Sequence, residues 1–207
     1  MELDGKKIIV TGSARGMGES TLCAYVRAGA NVIGMDVTDD TGHAITARAN
    51  EEGPGTAEYI HVDIADKSSV EAAFAEAVEK LGGLDVLAHP AAIQRSSDAG
   101  DVSVEDWDLM FAVNVRGTML TNPAAHGYMK DTGGGSIINF GSISALRPET
   151  SAAAYSAAKG AVHSWTRTAA GTWGKDKVRV NAILPAMATP MYLEAMDRAD
   201  DEQQTAN

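Results

Sequence analysis

Short continuous apolar runs alternate along this chain with longer stretches in which apolar residues recur every three or four positions. The runs at Lys7–Thr11, Asn31–Asp36, Ala57–Val62, Val86–Ala91, Ser136–Gly141 and Val178–Leu184 are rich in Val, Ile and Leu without strict alternation. That is the pattern of strands buried on both faces of a parallel sheet. The stretches at Met17–Ala28, Thr41–Glu52, Ser68–Leu81, Val104–Asn122 and Ala152–Trp173 carry a helical period, and several stop at Gly, which ends helices readily in the left-handed conformation. Gly133-Gly134-Gly135 reads as the turn feeding the fifth strand. Strand and helix alternate with short connections, which predicts an α/β fold: a doubly wound Rossmann-type parallel sheet with helices on both faces and ligands at the carboxyl ends of the strands.

Composition narrows this little, and charge narrows it more. The 207 residues make about one domain, so 1–207 is read as a single unit. Hydrophobic residues at 44% and charged residues at 22% are ordinary for a globular protein and set aside collagen-like, disordered and coiled-coil classes. With Lys plus Arg at 17 against Asp plus Glu at 28, the net charge is −11. That argues against a nucleic acid or an anionic membrane as partner and for a small molecule. No apolar run approaches the roughly 18 residues of a membrane helix, and Met1–Val10 does not read as a secretory signal. Cys23 is the only cysteine, so no intramolecular disulfide is possible, and the expected location is cytoplasmic. The five histidines, His43, His61, His89, His126 and His163, show no metal-ligand spacing, and no metal is expected.

The first strand runs into Thr11-Gly12-Ser13-Ala14-Arg15-Gly16-Met17-Gly18, with a helical pattern directly after it. Glycines there let the backbone approach a pyrophosphate, and the free N–H groups and dipole of the helix start favour its negative charge. Gly12, Ser13, Arg15, Gly16, Met17 and Gly18 are the candidates for that contact. Asp36 closes the second strand at close to the separation of about 20 residues at which an acid meets the adenosine ribose. A carboxylate accepts from both ribose hydroxyls and repels a 2′-phosphate, which favours NAD, with NADP as the alternative should Arg15 pair with a phosphate.

Tyr155 and Lys159 stand four apart in a helical stretch, on one face. A free tyrosine titrates near pH 10, so proton exchange around neutrality requires lowering its pKa by about 3 units, roughly 4 kcal/mol. One positive charge at about 4 Å supplies around 4 kcal/mol at an effective dielectric near 20. An oxidised nicotinamide would add a second. Ser142 follows the fifth strand, where ligands bind in open α/β sheets, and Asn114 lies inside the fourth helix.

In these marks the chain resembles the short-chain dehydrogenase/reductase family: Thr11-Gly-x-x-x-Gly-x-Gly18, Asp36, Asp63-Ile64, Asn114-Val115-x-Gly117, Gly141-Ser142, Tyr155-x-x-x-Lys159 and Asn181-x-Ile183-x-Pro185, in the family order from Leu3 to about Thr189. The resemblance implies Tyr155 as the general acid/base and Lys159 as the group that lowers its pKa and holds the nicotinamide ribose. It implies Ser142 as the residue that polarises the substrate oxygen and Asn114 as the anchor of a water in the proton relay. Asp63 and Ile64 would contact adenine, and Pro185 and Thr189 would lie on the nicotinamide side. It also implies a homodimer or homotetramer and, over 185–207, part of a substrate loop. Met187, Met191, Tyr192 and Met196, with Ile93, Leu146 and Trp107, suggest an apolar or ring-containing alcohol or ketone. The expected activity is NAD-dependent interconversion of a secondary alcohol and a ketone. The alternatives are an NADP-dependent carbonyl reductase and a dinucleotide-binding protein without turnover.

Two departures stand out. Where the family reads Asn-Asn-Ala-Gly, this chain has His89-Pro90-Ala91-Ala92, and Ala186 replaces a glycine after Pro185. The first is expected to shift a turn slightly, with His89 restoring one hydrogen bond. Family members also continue beyond the substrate loop into a further helix pair and a seventh strand, so the expectation is a chain that lacks the last strand and helix and leaves the sixth strand at an open edge.

Overall fold

The computed structural model describes residues 2–185. Six strands, β1 (Lys7–Thr11), β2 (Asn31–Asp36), β3 (Thr56–His61), β4 (Val86–His89), β5 (Gly135–Phe140) and β6 (Val178–Ile183), form one parallel sheet in the order β3-β2-β1-β4-β5-β6. The order reverses between β1 and β4, the crevice in which open α/β sheets hold ligands. Six α-helices connect and cover the strands: α1 (Gly16–Arg27), α2 (Asp39–Glu52), α3 (Lys67–Leu81), α4 (Val104–Met110), α5 (Gly117–Met129) and α6 (Ala153–Trp173). Among the described residues, no helix is long and apolar enough to cross a membrane.

Side chains along β1 alternate between the two faces and so seed two cores. Ile8 and Val10 pack with Leu22, Val26, Ile45 and Ala49 under α1 and α2. Ile9 packs on the other face with Phe74, Leu87, Met129 and Ile137 under α3, α5 and α6. Burial on both faces is why the strands read as unbroken apolar runs rather than alternating ones.

Among the boundaries that differ from the expectation, two have a local reason. β4 stops at His89 instead of Ala91 because Pro90 has no N–H to continue the ladder. The expected helix over Val104–Asn122 is divided: α4 ends at Met110, Phe111–Arg116 forms a wider π turn, and α5 then runs on through Pro123 to Met129. The π turn carries Asn114, and such turns mark functional positions often. α5 continues past Pro123 because Ala125 and Met129 are fully buried against the sheet, and this packing outweighs the hydrogen bond that Pro removes.

A buried polar network joins α5, β5 and α6 behind the carboxyl ends of the strands. Asn122 and Asn139 exchange two amide hydrogen bonds of 3.0 and 2.9 Å, Asn139 Nδ2 also donates to Thr166 Oγ1, and Trp165 Nε1 donates to Asn122 Oδ1. Because these groups are buried, the arrangement with every partner in place is strongly preferred over any slipped one. The register of α6 against β5 follows from it.

Candidate active site

The glycine turn after β1 is shaped by close approach. Gly12 has φ of 62°, and a Cβ on it would lie 2.6 Å from Ala91 Cα, so no side chain fits there. A Cβ on Gly18 would run into the Gly12 carbonyl, so the start of α1 sits directly on the turn. Together they open a cavity of about 450 Å³ lined by Gly12, Ala14, Arg15, Gly16, Met17 and Gly18 on one side. Asp36, Val37, Thr38 and Thr41 line it from the end of β2, Val62, Asp63 and Ile64 from the end of β3, and Pro90, Ala91, Ala92, Ile93 and Val113 from the far wall. A glycine cradle at a helix start with an acid at the rim has the chemistry to hold a dinucleotide.

Asp36 is held rather than loose. Its Oδ2 accepts from Ala14 N at 3.0 Å, and its Oδ1 accepts from Val37 N at 2.8 Å and Thr38 N at 3.1 Å. Ser13 departs from its expected role. Its N–H donates to Met35 O, its hydroxyl is buried beside Gly34, and it does not line the cavity. Gly117, where a Cβ would lie 2.8 Å from Ile64 Cδ1, lets α5 close on Ile64.

The altered turn after β4 keeps one hydrogen bond, as expected of His89. Its Nδ1 pairs with Thr11 Oγ1 at 2.7 Å, across the two central strands. Burial, with Lys159 nearby, pushes the His89 pKa down to about 3, so the ring is neutral. Its Nε2 is buried without a hydrogen-bond partner.

The catalytic candidates come together at the carboxyl end of β5. Ser142 is extended beyond the strand, and its Oγ accepts from Ser144 N at 3.2 Å and Ser144 Oγ at 2.7 Å. The Ser142 hydroxyl is also hydrogen-bonded to Tyr155. One turn further along α6, Lys159 Nζ donates to Phe140 O at 2.7 Å and lies 5.6 Å from the centre of the Tyr155 ring. Burial pulls the Lys159 pKa down to about 8. From the protein's own groups the Tyr155 pKa moves upward, opposite to the expected lowering. Burial raises it, and the Ser142 bond offsets this only in part.

Asn114 is tied to the neighbouring wall. Its Oδ1 accepts from Ile93 N and its Nδ2 donates to Ile93 O, both at 2.9 Å, while its own carbonyl accepts from Thr118 Oγ1. These bonds hold Ile93, a cavity residue, in place. Pro185 lies two residues beyond β6 and outside the cavity lining. Thr189, Ala186, Met187, Met191, Tyr192 and Met196 lie outside the described residues. Among those described, no three His, Cys, Asp or Glu side chains are grouped to hold a metal.

Sequence reasoning missed Ser144, which had no signal beyond its closeness to Ser142. It also missed the pairing of His163 with the Ser142 backbone, for which a signal exists: His163 continues the four-residue spacing of Tyr155 and Lys159 along α6.

A model of the short chain dehydrogenase family matches residues 6–200. The chain is 38% identical over 192 residues to trans-4-hydroxycyclohexanecarboxylate dehydrogenase of Sinomonas cyclohexanicum, covering 90% of this chain and 74% of that protein. It is 34% identical over 185 residues to D-threitol dehydrogenase of Mycolicibacterium smegmatis, covering 89% and 71%. The structure of levodione reductase superposes with a TM-score of 0.92 at 26% identity, covering 97% of this chain and 79% of that one.

Proposed function

The chain belongs to the short-chain dehydrogenase family and is an oxidoreductase, and we propose that it interconverts a ring-bearing secondary alcohol and its ketone with NAD, using Tyr155 as general acid/base. The observation that carries this reading is the joining of Ser142, Tyr155 and Lys159, with Ile93 of the glycine-cradled cavity wall packed against the cluster that holds Tyr155 and Asp36 at the cavity rim. When bound, the dinucleotide supplies the hydride acceptor or donor. Gly12, Arg15, Gly16, Met17 and Gly18 would hold its phosphates, Asp36 its adenosine ribose, Asp63 and Ile64 its adenine.

The chain's own groups handle the proton. Ser142 Oγ receives two hydrogen bonds from Ser144, which orients its own O–H toward the reacting oxygen and polarises it there. Tyr155 Oη, on the other side of that oxygen, delivers a proton in reduction and takes one in oxidation. Lys159, fixed by Phe140 O, places positive charge near the phenol and stabilises its ionised form when alcohol is oxidised. Tyr155 and Lys159 are buried, 8% and 4% exposed, so their charges act at lower dielectric than in water.

A ring-bearing substrate is favoured by the cyclohexane compound in the name of one relative and by the exposed apolar Ile143 and Leu146 following Ser142. D-threitol in the name of another is the competing class, a small polar alcohol. Trp107, Leu109 and Met119, each 40% exposed or more, support a homo-oligomer, and the absence of disulfide partners for Cys23 supports a cytoplasmic location. Rates with NAD and NADP across trans-4-hydroxycyclohexanecarboxylate, cyclohexanol and D-threitol, in wild type and Tyr155→Phe, test the proposal. NAD-dependent oxidation of the cyclic alcohols that Tyr155→Phe abolishes is the expected outcome. NADP preference overturns the role of Asp36, D-threitol preference overturns the substrate class, and nucleotide binding without Tyr155-dependent turnover means a binding protein.

A further inference from the structure

We propose that His163 is a positioning residue for the active site: its neutral imidazole accepts the Ser142 backbone N–H and so sets where the Ser142 hydroxyl meets Tyr155. The inference rests on the reading of Ser142 and Tyr155 given above.

Its origin lies in the early end of β4. Amides along β5 alternate between neighbours: Ser136 N–H donates to Asp85 O on the β4 side, and Gly141 N–H to Ile183 O on the β6 side. Alternation turns the Ser142 N–H back toward the β4 side, where the ladder has already stopped at His89 ahead of Pro90. Even a partly buried amide is costly to leave without an acceptor. The acceptor comes from α6 instead, as His163 Nε2 receives the Ser142 N–H at 3.2 Å.

The contact is tight and enclosed. His163 is 8% exposed, and a Cβ on Gly141 would run into its imidazole, so the ring presses directly on the residue before Ser142. His163, Lys159 and Tyr155 stand at successive turns of α6. They engage three neighbouring points at the end of β5 and just beyond it: the Ser142 amide, the Phe140 carbonyl and the Ser142 hydroxyl. One helix face therefore fixes both the backbone and the side chain of the residue that polarises the substrate. Nε2 accepts only when it carries no proton, and the surroundings favour that state. Burial and the cations Arg167 and Lys159, on the same helix, lower the His163 pKa, while the facing strand offers it Gly141 and the Ser142 amide.

The test compares His163→Leu, which fills the space without an acceptor, with His163→Gln, which restores an acceptor that does not titrate. Tyr155→Phe is the control, and oxidation of trans-4-hydroxycyclohexanecarboxylate by NAD is the assay. His163→Leu is expected to lower kcat about tenfold with KM for NAD within about twofold of wild type. His163→Gln is expected to recover most of that loss and to remove the acid limb that protonation of His163 adds to the kcat profile. Nitrogen NMR of wild type, which needs neither turnover nor a variant that folds, is expected to show His163 at pH 7 as the neutral Nδ1–H tautomer. Wild-type kcat in His163→Leu with a dead Tyr155→Phe refutes the positioning role and leaves the site reading intact. Turnover in Tyr155→Phe refutes the site reading and this inference with it, and an Nε2–H tautomer or a charged ring refutes the inference alone.

Discussion

The Lys159 ammonium donates to the Phe140 carbonyl at 2.7 Å, in a pocket where both residues are more than nine-tenths buried. That bond ties α6 to the last residue of β5 and points the charge at Tyr155, but it leaves a cation in an environment that penalises it, with a pKa pulled down to about 8.

A stability signature follows from that depressed value. Between about pH 8 and the ordinary lysine value near 10.5 the unfolded chain binds the proton and the folded chain does not, so this group raises stability as pH rises across the window. Urea unfolding of wild type and Lys159→Met, whose stem is of similar size, should differ in pH dependence by about 3 kcal/mol across it. Parallel curves would show that the charge is solvated in the folded state. The same variant should lose at least about a hundredfold in kcat.

His89 makes the complementary prediction in acid. Its folded pKa of about 3 lies below the unfolded value near 6.5. The stabilising contribution of its neutral, Thr11-bonded form is complete above pH 6.5 and is lost as pH falls toward 3, by up to about 5 kcal/mol. His89→Asn, which keeps a hydrogen-bonding side chain and has no such titration, should flatten the decline in unfolding midpoint between pH 7 and 4. An unchanged slope would place the acid sensitivity elsewhere.

Asn114 joins the π turn to the cavity wall through Ile93. Asn114→Ala leaves the Ile93 N–H and C=O without their partners, which should cost about 2–3 kcal/mol of stability in denaturant melts. Asn114→Asp keeps the acceptor for Ile93 N and loses the donor, and should fall between Ala and wild type. If both variants melt as wild type does, the pair contributes nothing to holding the wall.

On the proposed reading, Asp36 carries cofactor choice. Asp36→Asn removes the charge while keeping one acceptor oxygen, so KM for NAD should rise about tenfold. The ratio of NAD to NADP efficiency should fall, because the repulsion of a 2′-phosphate has gone. Steady-state kinetics with both nucleotides measures each effect, and an unchanged ratio would assign discrimination to another residue.

What the sequence determined by itself was everything carried by short-range regularity. Apolar runs and helical periods marked all six strands and the helices, because a strand buried on both faces has no polar position to spare and a covered helix shows its stripe. The glycine turn, Asp36 and the Tyr155–Lys159 spacing were equally legible, since each is a local geometric requirement written in consecutive residues. Tertiary structure alone decided what depends on which groups meet across the sheet. The break of the fourth helix at Asn114 exists because Asn114 pairs with Ile93 on another element. The inward turn of Ser13 follows from its burial beside Gly34. The pKa of Tyr155 rises because burial exceeds its one offsetting hydrogen bond. The acceptor for Ser142 comes from His163 because β4 ends at His89, short of the position that would face the Ser142 amide. Backbone amides must find partners wherever the chain is buried, and which distant residue provides them is settled only when the elements pack.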